Sequence, residues 1–139
     1  IQDGFLMYLL DTDTIIYVLK GDSRAIENLN LHVHHPLHTT SVSLMELYYG
    51  AYKSQKVAAN LSRVRMLEQW LSIIVPGKEM AATFGMLKAD LEHLGQKLDD
   101  FDLIIAACAL AWNFTLVSNN SRHFERIEGL KLANWSGGQ

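Results

Sequence analysis

The sequence predicts an α/β domain built on a mainly parallel sheet. Short apolar runs alternate with longer runs of helical period along the chain, and that alternation marks crossover units that lay strands side by side in one direction. MYLLD passes directly into TDTIIYVL, a strand feeding a helix, as such a unit begins. With 139 residues, 49% hydrophobic and 19% charged, the chain suits one domain burying roughly 68% of the surface its unfolded form exposes. No internal repeat or low-complexity stretch divides it. The domain is expected over 7–135, with 1–6 an upstream or vector-derived segment and 136–139 a C-terminal tail.

Residues 7–10 read as a buried strand and 12–19 as a helix stopping near Gly21, which suits a left-handed cap. A short helix covers 22–30 and a strand 37–40. Helices follow over 43–53 and 57–71; in the second, Leu61, Val64, Leu67 and Leu71 recur at helical spacing, and the two should form a hairpin. A third strand, 73–75, ends at Pro76 and Gly77, and a helix over 79–94 ends at Gly95. The stretch 102–112 is apolar on nearly all sides, so it should be a helix covered on more than one face. A strand at 115–117, a short turn over 121–124 and a strand near 130–132 complete the chain.

The longest apolar segment, 103–112, is far shorter than the ~20 residues of a membrane span. IQDGFL lacks the basic start, apolar stretch and cleavage site of a secretory signal. The lone Cys108 has no internal partner and lies in the apolar helix, which fits a buried packing role in a reducing, cytoplasmic setting. A net charge of −3 does not announce a nucleic-acid binder. Local basic surface is nonetheless present: Lys53, Lys56, Arg63 and Arg65 gather in one helical region, where a solvated helix face explains them equally well, and Arg122 and Arg126 flank a rim loop.

Asp11, Glu46, Asp102 and Asn120 each stand where one element hands over to the next. In a parallel α/β sheet the carboxyl ends of strands and the amino ends of following helices share one rim, where ligands bind. Each residue also has a bland explanation. Ser43 and Glu46 fit a Ser-x-x-Glu capping box; Asp99 could cap the sixth helix with Asp102 in its first turn; Asp11 could be an N-cap. Occurring together, they point to one site. Two or three carboxylates on an open rim suit Mg²⁺ or Mn²⁺, which prefer oxygen and retain waters, and such a site activates water at a phosphodiester. Zinc fits less well, for want of Cys and His ligands. His32, His34, His35 and His38 have His-x-His spacing, but nothing completes a metal site there, so an exposed loop leading into a strand is expected.

YLLDTD, SVSLMELYYGA, DLIIAACAL and LVSNNSRHFERIEGLKLANW together resemble the PIN-domain ribonucleases, specifically VapC-type toxins of prokaryotic toxin–antitoxin systems. The resemblance spans 7–135. It implies a PIN-like three-layer α/β/α fold with a five-stranded sheet in order 3-2-1-4-5, endoribonuclease activity on RNA, Mg²⁺ or Mn²⁺ dependence, a homodimer, and a VapB-type antitoxin that blocks the site. Asp11, Glu46 and Asp102 match the family's first three acids, as catalytic residues and metal ligands. Asn120, expected as the fourth catalytic residue, stands where a fourth Asp is frequent, and Asp13 where many relatives have Asn. Asp13 and Asp99 are expected behind the ligands, with Arg122 and Ser118 contacting substrate. In-line attack by water would leave a 5′-phosphate and a 3′-hydroxyl. Two other readings remain. DTDTI and LVSN resemble haloacid-dehalogenase-type phosphatases, but there the last acidic motif follows the Ser/Thr motif, whereas DDFD here precedes it. A non-catalytic PIN-like interaction module would have no use for three converging charges that repel without metal.

Overall fold

The computed structural model describes residues 7–136. Its five strands are β1 (Tyr8–Leu10), β2 (Leu37–Thr40), β3 (Ser72–Ile74), β4 (Thr115–Val117) and β5 (Lys131–Ala133). The helices are α1 (Thr12–Leu19), α2 (Ser23–Leu31), α3 (Ser41–Lys53), α4 (Val57–Trp70), α5 (Lys78–His93), α6 (Asp100–Ala111) and the single turn α7 (Ser121–Phe124). Every strand pair is parallel and the order is β3-β2-β1-β4-β5, as the family resemblance implies. The expectation for 1–6, and that for 137–139, lie outside the described residues; Ser136, assigned to the tail, is buried.

Strand alternation divides the core into two layers. Leu9 and Leu116 point to the face covered by α5 and α6, with Leu87, Leu91, Leu103 and Ile105. Tyr8, Leu10 and Val117 point to the opposite face, where Ile15, Leu29, Leu47 and Val64 bring α1 to α4. Successive side chains on a strand face opposite ways, so a central strand that is apolar throughout must be covered on both sides. The α6 helix is buried from Ile105 to Ala109, as its unbroken apolarity predicts. Within it, burial pushes the Cys108 thiol up to about 12, so it is inert packing. No helix among the described residues is long and apolar enough to cross a membrane.

The structure corrects two local expectations. First, α3 begins at Ser41, directly from β2, and its cap is Thr40, whose side chain accepts the Ser43 N–H at 3.0 Å. The Ser43–Glu46 capping box therefore does not form, because both residues lie inside the helix. Second, the histidines are not simply an exposed loop. The His32 ring stacks on Trp135 with centroids 4.5 Å apart, Tyr8 packs edge-on against it at 5.0 Å, and His32 Nδ1 lies 2.7 Å from the Asn28 carbonyl. His38 sits in β2 against Phe114, and burial lowers its pKa. Of these four histidines, only His34 is exposed.

Candidate active site

The sheet order reverses between β1 and β4, so the crevice at their carboxyl ends is the natural site. Asp11 stands at that point. Its N–H donates to the Val117 carbonyl at 3.0 Å, extending the β1–β4 ladder, and its Oδ1 then caps α1 by accepting the Thr14 N–H at 2.8 Å. The Thr14 hydroxyl donates to the same Val117 carbonyl at 3.0 Å. Asp11 is almost wholly buried, and burial pushes its carboxyl up to about 6, against the opposing hydrogen bonds from Ser118 and Thr14. The N-cap role expected of a lone Asp thus coexists with a place at the crevice.

Glu46 lies in the second turn of α3. Its Oε1 accepts the Thr12 hydroxyl at 2.5 Å, and the buried Ser43 hydroxyl lies 2.9 Å from the same Thr12 oxygen. One carboxylate oxygen is thereby anchored to the start of α1. Asp102 lies in the first turn of α6, whose cap is Asp99, accepting the Phe101 N–H at 3.1 Å. Asp102 is half-buried, and its carboxyl is pushed up to about 6 by burial first, then by the charges of Asp99, Glu46 and Asp13; His123 opposes them.

Asp11, Asp13, Glu46 and Asp102 line one open cavity of about 600 Å³. Asn120 is not among its walls. It stands immediately before α7, donates its N–H to Ser118 Oγ at 2.9 Å, and places its side-chain amide 2.9 Å from His123 Nδ1. Arg122 is exposed on α7 and also outside the walls. Ser118, expected at the substrate, has no exposed surface; it stands behind Asp11 and links it to the Asn120 backbone.

A family model described as PIN domain matches residues 8–130. The chain belongs to the PIN-domain family. Ribonuclease VapC of Haemophilus influenzae is 37% identical over 94% of this chain and 98% of its own length. A tRNA(fMet)-specific endonuclease VapC of Shigella flexneri is 33% identical over 94% of this chain and 99% of its own. Among solved structures, VapBC2 from Rickettsia felis, bound to a DNA fragment from its promoter, has a TM-score of 0.89 at 34% identity and covers 94% of this chain and 100% of the matched one.

In this PIN domain the acids share a cavity but do not form a preassembled cage: among the described residues, no three His, Cys, Asp or Glu side chains are grouped to hold one ion. The donor set still fits a hard divalent cation. It is all oxygen, its charges raise one another's proton affinity, and the one ion pair among the described residues, Lys88 with Asp100 at 3.0 Å, neutralises none of the four acids. An ion that keeps several waters is held by one or two carboxylates and tolerates this spacing. Two members of the site carried no sequence signal. Thr12 acts on Glu46 across 34 positions, and the His123 charge opposes the rise of the Asp102 pKa from 21 positions away.

Proposed function

We propose that this PIN domain is a metal-dependent endoribonuclease toxin of the VapC type, hydrolysing RNA phosphodiesters at the cavity between β1 and α3. The observation that carries this reading is the gathering of Asp11, Glu46 and Asp102 on one open cavity at the switch point, with no salt-bridge partner for any of them among the described residues. Asp11 and Asp102 would hold Mg²⁺ or Mn²⁺, with Glu46 as a further ligand or as the base that orients water. When bound, the ion supplies charge neutralisation at the phosphate and lowers the pKa of water.

The chain's own residues do the positioning. Ser118 and the Thr14 N–H fix the Asp11 carboxylate. Thr12 anchors one oxygen of Glu46 and leaves the other to accept a proton from the attacking water. Asn120 and His123 form the neighbouring rim, and the exposed Arg122 steers backbone phosphate. Water attacks in line with the departing ribose 3′-oxygen, giving a 5′-phosphate and a 3′-hydroxyl. The protein acts in the cytoplasm as a homodimer and is neutralised by a VapB-type antitoxin; the Rickettsia felis neighbour is itself a VapBC2 assembly.

The deciding experiment incubates the purified protein with RNA and Mg²⁺ or Mn²⁺. Cleavage is expected, to be stopped by chelator and abolished in Asp102→Asn. Products ending in 2′,3′-cyclic phosphate, or cleavage indifferent to chelator, would overturn the mechanism.

A further inference from the structure

The acids occupy only part of the cavity surface. Met45, Tyr49, Lys53 and Phe101 are among the other residues of its wall. Tyr49 is 64% and Phe101 46% exposed, large values for rings of this size. Met45, Tyr49 and Lys53 succeed one another every four residues, so they form one outward stripe on α3. Between Glu46 and Lys53 on that helix lies Gly50, which also lines the cavity and has nothing within 4 Å of where a Cβ would stand. A glycine inside a helix costs about 1 kcal/mol relative to alanine; here it leaves the floor open.

We propose that this wall is a base-stacking subsite for an unpaired nucleotide of single-stranded RNA, with Tyr49 and Phe101 receiving the base and Lys53 the adjoining phosphate. The proposal rests on the ribonuclease reading of the acids and adds the residues that receive a base and its phosphate beside them. Lys53 is the one basic side chain lining the cavity. Its Nζ lies 4.8 Å from the Tyr49 ring centroid, and it forms no salt bridge among the described residues. A polyanion entering a cavity with four carboxylates needs a cation opposite them, and Lys53 supplies it beside the aromatic face. Exposed rings with an adjacent cation hold single strands through stacking and phosphate attraction, because every base presents a π-face. A continuous duplex keeps its bases stacked on one another and cannot present one to this wall.

The test measures a labelled single-stranded oligoribonucleotide binding to the full chain by fluorescence anisotropy, on an Asp102→Asn background so that it survives. Tyr49→Leu, which keeps apolar bulk and removes the ring, is expected to weaken binding about 5- to 150-fold, and Tyr49→Phe to retain it. Lys53→Gln should weaken binding and flatten its dependence on salt. In the otherwise parental enzyme, Tyr49→Leu should raise KM with a smaller change in kcat. Light scattering should give the same mass for every variant. Unchanged affinity in Tyr49→Leu, equal binding of duplex and single strand, or a loss of dimer mass with normal RNA affinity would each overturn the subsite; the last would reassign the wall to contact between copies. An active Tyr49→Leu enzyme with parental KM defeats only the subsite, whereas a parental protein that never cleaves RNA defeats the ribonuclease reading.

Discussion

Replacing Thr12 with Val removes one hydroxyl and keeps the side-chain outline. That hydroxyl stands 2.5 Å from Glu46 Oε1 and 2.9 Å from Ser43 Oγ. It has one proton to give, which goes to the carboxylate, while its lone pair receives the Ser43 proton. A hydrogen bond to an ionised acceptor contributes about 1.5–3 kcal/mol net. Glu46 is only partly buried, so its freed carboxylate recovers water, and about 1 kcal/mol is expected to appear as lost fold stability. The larger consequence is lost orientation. If the full bond energy is missing from the transition state, cleavage slows about 10- to 150-fold. The assay is kcat at saturating RNA and metal, run beside a thermal melt, with Thr12→Ser as the control that keeps the hydroxyl and restores most of the rate. A Thr12→Val enzyme as fast as the parent, or a Thr12→Ser enzyme as slow as Thr12→Val, would refute a positioning role for this hydroxyl.

Asp11 and Asp102 rise from 3.8 to about 6 on folding, so between roughly pH 4 and 6 the folded protein keeps protons that the unfolded chain has released. Stability of the metal-free protein should therefore fall as pH rises through that window. Melting scans should show a higher midpoint near pH 5 than at pH 7, with excess Mn²⁺ recovering the loss; a midpoint rising with pH would contradict the burial of these carboxyls. Asp11→Asn keeps an acceptor for the Thr14 N–H and removes a charge that burial disfavours, so its melting temperature should equal or exceed the parent's while cleavage falls by roughly 100-fold or more. Parental activity in that variant would remove Asp11 from the chemistry. Ser118→Ala deletes both the hydroxyl donated to Asp11 and the acceptor of the Asn120 N–H. It should cost about 1–2 kcal/mol in denaturant melts, and an unshifted midpoint would show that Ser118 supports nothing.

What the sequence made legible follows the range of each interaction. The passage from Leu10 through Asp11 into Thr12 is local, and strand, cap and helix all appear where the pattern puts them. The buried α6 is equally local, because ten apolar residues in a row admit few other homes. The start of α3 was harder: Ser43 and Glu46 imitate a capping box, while the operative cap is the last strand residue, Thr40, with no loop between. The acids were legible as positions, but not their partners. Thr12 with Glu46 and His32 with Trp135 meet only after the sheet is assembled. The histidines mislead for the same reason, since their spacing says nothing of the aromatic rings that three of them pack against.

The pairing of β1 with β4 also sets when a newly made chain can complete its candidate site. The Thr14 hydroxyl that steadies the Asp11 turn bonds to Val117, 103 residues later, and Ser118 follows immediately. At translation speeds of about 5–20 residues per second, roughly 5–20 s separate the emergence of the two halves. Through that interval Asp11 has neither its central strand neighbour nor its buried hydroxyl. On the proposed mechanism, a partly synthesised copy has no assembled centre with which to cleave RNA, and chains terminated before β4 should be inactive.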